Sequence, residues 1–315
     1  MRISEYFSLG VSQNGLDFVD VNFTKDVELF IDPCWIHTND DEWCIDASET
    51  ITDFFNHILE LYENGNDQEA RELFDYAHEP NEICFGLSSS QPEGTGASRE
   101  MLSELFDDIR ENNMIENGLI QRLEDVHVFV DGFGQDRLSD LVTNIIRKHL
   151  VDFTIYQCGL WGIETNTEER QLAHYWNREN HTWEECNESP LVIDGKDILL
   201  VPKSIVVKNY RYTAGQYCTH FVLERRKQYH LENNTHLVER TPRRDGTIVP
   251  KVYKKAIRKE EITDSGLNEK QYVRSMTERN RNLIQLFRDE ISNRLLNPET
   301  TNKLNDETLE EYLDL

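Results

Sequence analysis

Polar and apolar positions alternate along Asp17-Phe18-Val19-Asp20-Val21, and Val27-Glu28-Leu29-Phe30-Ile31 is a second β-prone run. Spacing of this kind predicts strands, and Asp32-Pro33 stops the second one. The period then changes. Ser48-Glu49-Thr50 opens a helix with Ile51, Phe54, Phe55, Ile58, Leu59 and Tyr62 on one stripe. Gly65-Asn66-Asp67 ends it and caps another helix that runs to about Tyr76. Ile83-Cys84-Phe85 is a short strand, followed by a Gly- and Ser-rich loop over 86–98 and a helix with Met101, Leu102, Leu105, Phe106 and Ile109 on one face.

The stretch from Val126 to Cys158 carries the densest pattern. A five-residue apolar run, Val126 to Val130, meets a turn at Gly132 and Gly134. A periodic segment follows through Leu141, Val142, Ile145, Ile146 and Leu150. This predicts a buried strand, a tight loop and a helix, with Asp131, Asp136 and Asp140 at the junction. The polar 162–190 segment has one expected helix, Glu168 to Trp176. Leu191-Val192-Ile193 and Ile198-Leu199-Leu200-Val201 read as a hairpin around Asp194-Gly195, and Ile205-Val206-Val207 extends the sheet. Beyond this point the pattern is helical at Gln216 to His230, Tyr253 to Ile262 and Glu269 to Leu296. An acidic amphipathic end runs from Asn305 to Leu315. The expected fold is α+β or α/β: a mixed sheet covered by helices over residues 1–205, then a mainly helical lobe over 206–315.

Charge sharpens this picture. The 315 residues carry a net charge of −26, yet Lys203 to Lys259 holds 14 Lys and Arg against 4 Asp and Glu, which leaves −36 for the remainder. A basic island in an acidic chain suits one localised contact, with phosphate or with an acidic protein surface or second subunit. Arg225, Arg226, Lys227, Arg243 and Arg244 are its expected nucleic-acid contacts. No apolar run is long enough to span a membrane. The N-terminus has no signal-peptide core, and six scattered cysteines fit a cytoplasmic protein with reduced thiols.

Carboxylates at a strand end can hold Mg²⁺ for phosphodiester hydrolysis, and a nearby lysine can stabilise the developing charge. Asp131, Asp136 and Asp140 are the candidate ligands. Asp194 with Lys196, or Lys203, would supply the rest. Each has a plainer role available: Asp140 as a first-turn helix charge, Asp131 in the glycine turn, Asp194 and Lys196 in the hairpin turn. Ser88, Ser89, Gly94 and Gly96 form a candidate phosphate loop without the Lys-Ser/Thr ending of a P-loop. Cys34, His37 and Cys44, or Cys218 and His220, lack a second half for zinc, and none is expected. Cys158 with His149 is a further conceivable nucleophile pair.

Four segments carry a family resemblance: Asp17 to Asn22 with Leu29 to Pro33, the Gly86 to Gly96 loop, Asp131 to Asp140 with Asn144-Ile145-Ile146, and Ile198 to Lys203. Together they resemble a group of mostly uncharacterised bacterial proteins associated with mobile elements and phage defence. A weaker analogy links Asp140, Asp194 and Lys196 to the PD-(D/E)xK nucleases, with 162–190 as a long insertion. The resemblance implies an antiviral protein acting on nucleic acid, as a Mg²⁺-dependent nuclease (a hydrolase) or as a non-catalytic sensor or adaptor in a protein complex. A nucleotide-binding protein using the 86–98 loop is the third reading.

Overall fold

A computed structural model describes residues 1–86, 99–242 and 247–314 of the chain. In chain order its elements begin with α1 (Ile3–Tyr6), β1 (Phe30–Ile31), α2 (Pro33–Thr38), α3 (Glu42–Glu63), α4 (Asp67–Glu72), α5 (Arg99–Glu111) and α6 (Leu123–Phe129). Next come α7 (Gln135–Ile145), α8 (Arg147–Trp161), β2 (Ala173–Asn177), β3 (Thr182–Cys186), β4 (Leu191–Ile193), β5 (Lys196–Ile198) and β6 (Val206–Val207). The remainder is α9 (Ala214–Tyr217), α10 (Leu223–Glu232), β7 (Glu239–Pro242), β8 (Ile248–Lys251), α11 (Lys254–Ile257), α12 (Glu269–Glu278), α13 (Asn282–Leu296) and α14 (Asp306–Asp314). The fold is α+β. Where one mixed sheet was expected, the described strands pair as four two-stranded antiparallel ribbons: β1–β6, β2–β3, β4–β5 and β7–β8.

The chain divides into two units. The first comprises Met1–Asp108, Phe133–Tyr210 and Arg294–Leu315; the second comprises Ile109–Gly132 and Arg211–Asn293. The chain passes from the first unit to the second at Tyr210–Arg211. Each unit is discontinuous, however, and the C-terminal helix α14 returns to the first.

Capping explains several boundaries in the first unit. Asp32 accepts the Cys34 N–H at 2.9 Å and Pro33 takes the first helical position, so α2 begins where β1 stops. Asp41 caps α3 by accepting the Cys44 N–H at 2.9 Å. The helix therefore starts at Glu42, ahead of the Ser48 start read from the sequence, and its buried stripe extends back through Ala47 to Cys44. The 168–176 segment is not helical. Its end is β2, where Trp176 sits opposite Trp183 of β3. Both indoles pack on Phe54 with ring centroids 5.1 and 5.4 Å away. Burial of three rings at one place outweighs local helix preference. The β4–β5 hairpin turns on Asp194 and Gly195, with φ of 51° and 80°. Positive φ at both central residues defines the type I′ turn that the Asp-Gly pair predicted.

The run Val126 to Val130 belongs to the second unit and is helical to Phe129, correcting the strand expected there. Val126, Val128 and Phe129 are all fully buried, so no polar face marks the period. A short apolar run with that burial looks the same in a strand and in an enclosed helix. Asp125 fixes the outcome. Its carboxylate accepts the Gln121 and Arg122 N–H groups, each at 2.9 Å, and so holds the free amides at the start of α6. Gly132, at φ 78°, then makes the turn.

Candidate functional site

The three junction aspartates are divided. Asp131 is exposed in the second unit, where it accepts a hydrogen bond from Asn268 Nδ2 at 2.9 Å. Asp136 and Asp140 lie on the first turns of α7 in the first unit. Asp194 is the exposed turn residue of its hairpin and Lys196 is exposed on β5. Lys203 donates to Asp306 of α14 at 2.8 Å, so its charge is engaged within the fold. Among the described residues no group of three or more His, Cys, Asp or Glu side chains is arranged to hold a metal ion.

A different carboxylate cluster does form within the first unit. Asp136 and Asp140 come within electrostatic reach of Glu79, which in turn feels Asp26. Burial, then the charges of Asp136 and Glu79, pushes Asp140 up to about 8. Burial also raises Glu79, with Asp26 and Asp136 adding to it, and burial raises Asp136 against the opposing charge of Arg137. Glu79 and Asp26 had no sequence signal, since neither lies in a periodic or glycine-bounded motif.

The scaffold under this cluster joins three of the resembling segments. Val19 N–H donates to Val201 O at 3.0 Å and Lys203 N–H to Asp17 O at 2.9 Å. Ile31 N–H donates to Ser139 Oγ at 3.0 Å, which ties β1 to α7. Asn144 Nδ2 donates to His78 O at 2.6 Å, and Arg147 donates to Asn144 Oδ1 at 2.5 Å. Arg147 also pairs with Glu82 and donates to His174 O at 3.0 Å. Asn144 and Arg147 are thus structural pins. Cys158 is fully buried, and burial pushes its thiol up to about 11, which leaves it protonated and unsuited to attack. The fourth resembling segment, with Ser88, Ser89, Gly94 and Gly96, lies outside the described residues.

The basic island is heterogeneous. Arg226 makes a two-pronged bond to Glu261 at 2.6 to 3.2 Å. Lys227 and Lys254 approach Glu224 at 3.5 and 2.6 Å, and Arg258 pairs with Glu269 at 2.5 Å. These cations neutralise carboxylates of their own unit. Arg225, Arg211, Lys251, Lys255 and Lys259 are exposed and make no ion pair among the described residues. Arg243 and Arg244 lie outside the described residues.

One element of the second unit stands apart from its core. The β7–β8 ribbon pairs Glu239 with Lys251, Arg240 with Pro250, Thr241 with Val249 and Pro242 with Ile248. Seven of its eight residues are exposed, and Val249 is half-buried. Both strands are edges, yet Pro242 and Pro250 lack the N–H that would extend a sheet. Arg240 donates to Asn234 Oδ1 at 2.7 Å, which keeps its charge uncompensated. The sequence shows no alternating strand pattern here, because Pro242 and Pro250 interrupt it.

The architecture is that of an α+β protein whose second unit concentrates the uncompensated positive charge of an acidic chain. Residues 8–213 match the family described as a domain of unknown function, DUF8370, and the chain belongs to that family. No curated protein and no solved structure matches it.

Proposed function

We propose that this chain is a non-catalytic nucleic-acid sensor of a bacterial antiviral system, and that it binds duplex DNA through the β7–β8 ribbon. The ribbon is the observation behind this reading: two paired strands exposed on both faces, with Arg240 and Lys251 on them and Arg243 and Arg244 in the sequence between. A two-stranded ribbon fits the major groove of B-form DNA. It does not fit the deep, narrow major groove of an RNA duplex, so DNA is the favoured partner. Lys255 and Lys259 would add phosphate contacts, while the acidic remainder confines the duplex to this region. The defence setting comes from the family resemblance.

Fluorescence anisotropy with a labelled DNA duplex across a salt series tests the reading. Each phosphate contact contributes about 0.9 to the slope of log affinity against log salt. Arg240→Ala with Lys251→Ala should therefore flatten the slope by about 1.8, and Arg243→Ala with Arg244→Ala should act in the same direction. Affinity and slope left intact in both folded double variants would refute the ribbon as the contact. Parallel incubations with Mg²⁺, Mn²⁺ and chelator address catalysis: metal-dependent cleavage lost in Asp136→Asn and Asp140→Asn would replace the sensor with a nuclease.

A further inference from the structure

The second unit holds a cavity of about 80 Å³. Buried Val222 and half-buried Met276 and Leu283 supply its apolar surface, while Arg225, Arg279 and Tyr229 are exposed around it. Arg226 and Asn280 complete the lining, Arg226 as a fixed wall. Its guanidinium lies 4.3 Å from the Tyr229 ring centre and is gripped by Glu261. That carboxylate also accepts from Tyr272 Oη at 2.5 Å and meets His230 Nε2 at 2.8 Å. Arg225 and Arg279 have no carboxylate partner among the described residues, so their charge is available to a ligand.

The backbone marks the same place independently. A π-helical turn, Cys218–Val222, joins α9 to α10 and ends on a cavity residue. A second, Arg258–Thr263, follows α11 and carries Glu261. Such turns are rare and concentrate at functional sites. Here Arg258 of the second turn donates to Thr219 Oγ1 of the first at 3.1 Å, and the Arg226–Glu261 bond ties the second turn to α10.

Size and lining restrict the occupant. An enclosed apolar cavity of about 150 Å³ takes up benzene, and one water claims about 30 Å³. The smaller space here suits a branched aliphatic side chain better than a fully seated ring. A bare phosphate could meet Arg225, Arg279 and Asn280 but would leave the apolar surface of Val222, Met276 and Leu283 without a partner. We propose that this cavity docks an acidic segment of a partner protein, with one aliphatic side chain seated on Val222, Met276 and Leu283 and its flanking carboxylates on Arg225 and Arg279. Charge complementarity selects the partner: Arg225 and Arg279, unpaired among the described residues, attract an acidic segment, and the apolar floor between them selects its aliphatic side chain. The assignment does not depend on DNA binding.

Anisotropy with two labelled pentapeptides tests it on the full chain: a leucine flanked by two aspartates on each side, and the same peptide with alanine at the centre. The leucine peptide should bind, weaken with salt, and exceed the alanine peptide by about tenfold or more, as expected for burying the larger side chain. Arg225→Gln with Arg279→Gln should abolish binding, and Leu283→Trp, which fills the cavity, should do the same without changing charge. The ribbon variants should leave peptide binding unchanged. Absence of binding to the folded wild-type chain, equal binding of the two peptides, or displacement of the peptide by adenosine monophosphate would each overturn the proposal.

Discussion

Asp125 offers the sharpest test of how the second unit is held together. Its carboxylate is fully buried and Arg288 is 5% exposed. Arg288 donates to Asp125 at 2.6 and 3.2 Å, Tyr212 Oη donates at 2.5 Å, and two backbone amides of the α6 start complete the shell. Asp125→Ala would leave a buried guanidinium without its counter-charge. Breaking such a pair costs about 3–5 kcal/mol, most of it the penalty of the orphaned partner. The two freed N–H groups, of exposed Gln121 and half-buried Arg122, add less, because water can replace the lost carboxylate. All five tryptophans, Trp35, Trp43, Trp161, Trp176 and Trp183, belong to the first unit. Tryptophan emission therefore reports that unit, while hydrogen exchange across 109–132 and 211–293 reports the second. A loss of about 3 kcal/mol should speed exchange in those segments by about a hundredfold. By contrast, Asp131→Ala should stay within about 0.5 kcal/mol, since Asp131 is exposed and holds one hydrogen bond to Asn268. A penalty below about 1 kcal/mol for Asp125→Ala would refute the account. So would an equal penalty in tryptophan-detected urea unfolding, since the damage would then not belong to the second unit.

Two further outcomes concern the first unit. Asp140 titrates at about 8 in the folded chain, above an unfolded value near 3.9, so folding takes up a proton. Its contribution is complete at acid pH and is lost as pH rises through about 8. Asp140→Asn should therefore raise the thermal midpoint at pH 8 and above and change it little near pH 4; an unchanged midpoint at high pH would remove Asp140 from the strained cluster. Gly195→Ala should cost about 1 kcal/mol in urea unfolding, because φ is 80° while nothing crowds the added methyl group. A neutral result would mean that the hairpin turn relaxes.

The legible parts of the fold are those in which a local rule and the tertiary environment agree. The α3 stripe and the Asp194-Gly195 turn fall in this class. Asp194 and Gly195 adopt positive φ whatever packs above them, so two adjacent residues suffice to announce the hairpin. The unreadable parts share a different cause: partners far away in sequence. Val126 to Phe129 became helix because Asp125 found Arg288, 163 positions on. Trp176 became strand because Phe54 and Trp183 enclose it. Glu79 and Asp26 joined Asp136 and Asp140 through a fold that no spacing in the sequence predicts.

The same contrast bears on where the activity of this chain resides. The family match covers residues 8–213, which takes in the α7 cluster and the pins Asn144 and Arg147, but ends before the ribbon and the arginine-lined cavity. In the matched stretch Lys203 is engaged by Asp306 and Cys158 is buried in protonated form, while Asp194 and Lys196 are exposed in their hairpin. Beyond residue 213 the balance reverses: Arg225, Lys251, Lys255 and Lys259 are exposed and make no ion pair among the described residues. A buried, pinned scaffold followed by exposed, uncompensated cations favours a division in which residues 8–213 supply the stable frame and residues 214–293 supply recognition. The ribbon and cavity variants put this division at risk directly. If both leave DNA and peptide binding intact, recognition has to be sought in the carboxylate cluster, where burial and two neighbouring carboxylates push Asp140 up to about 8.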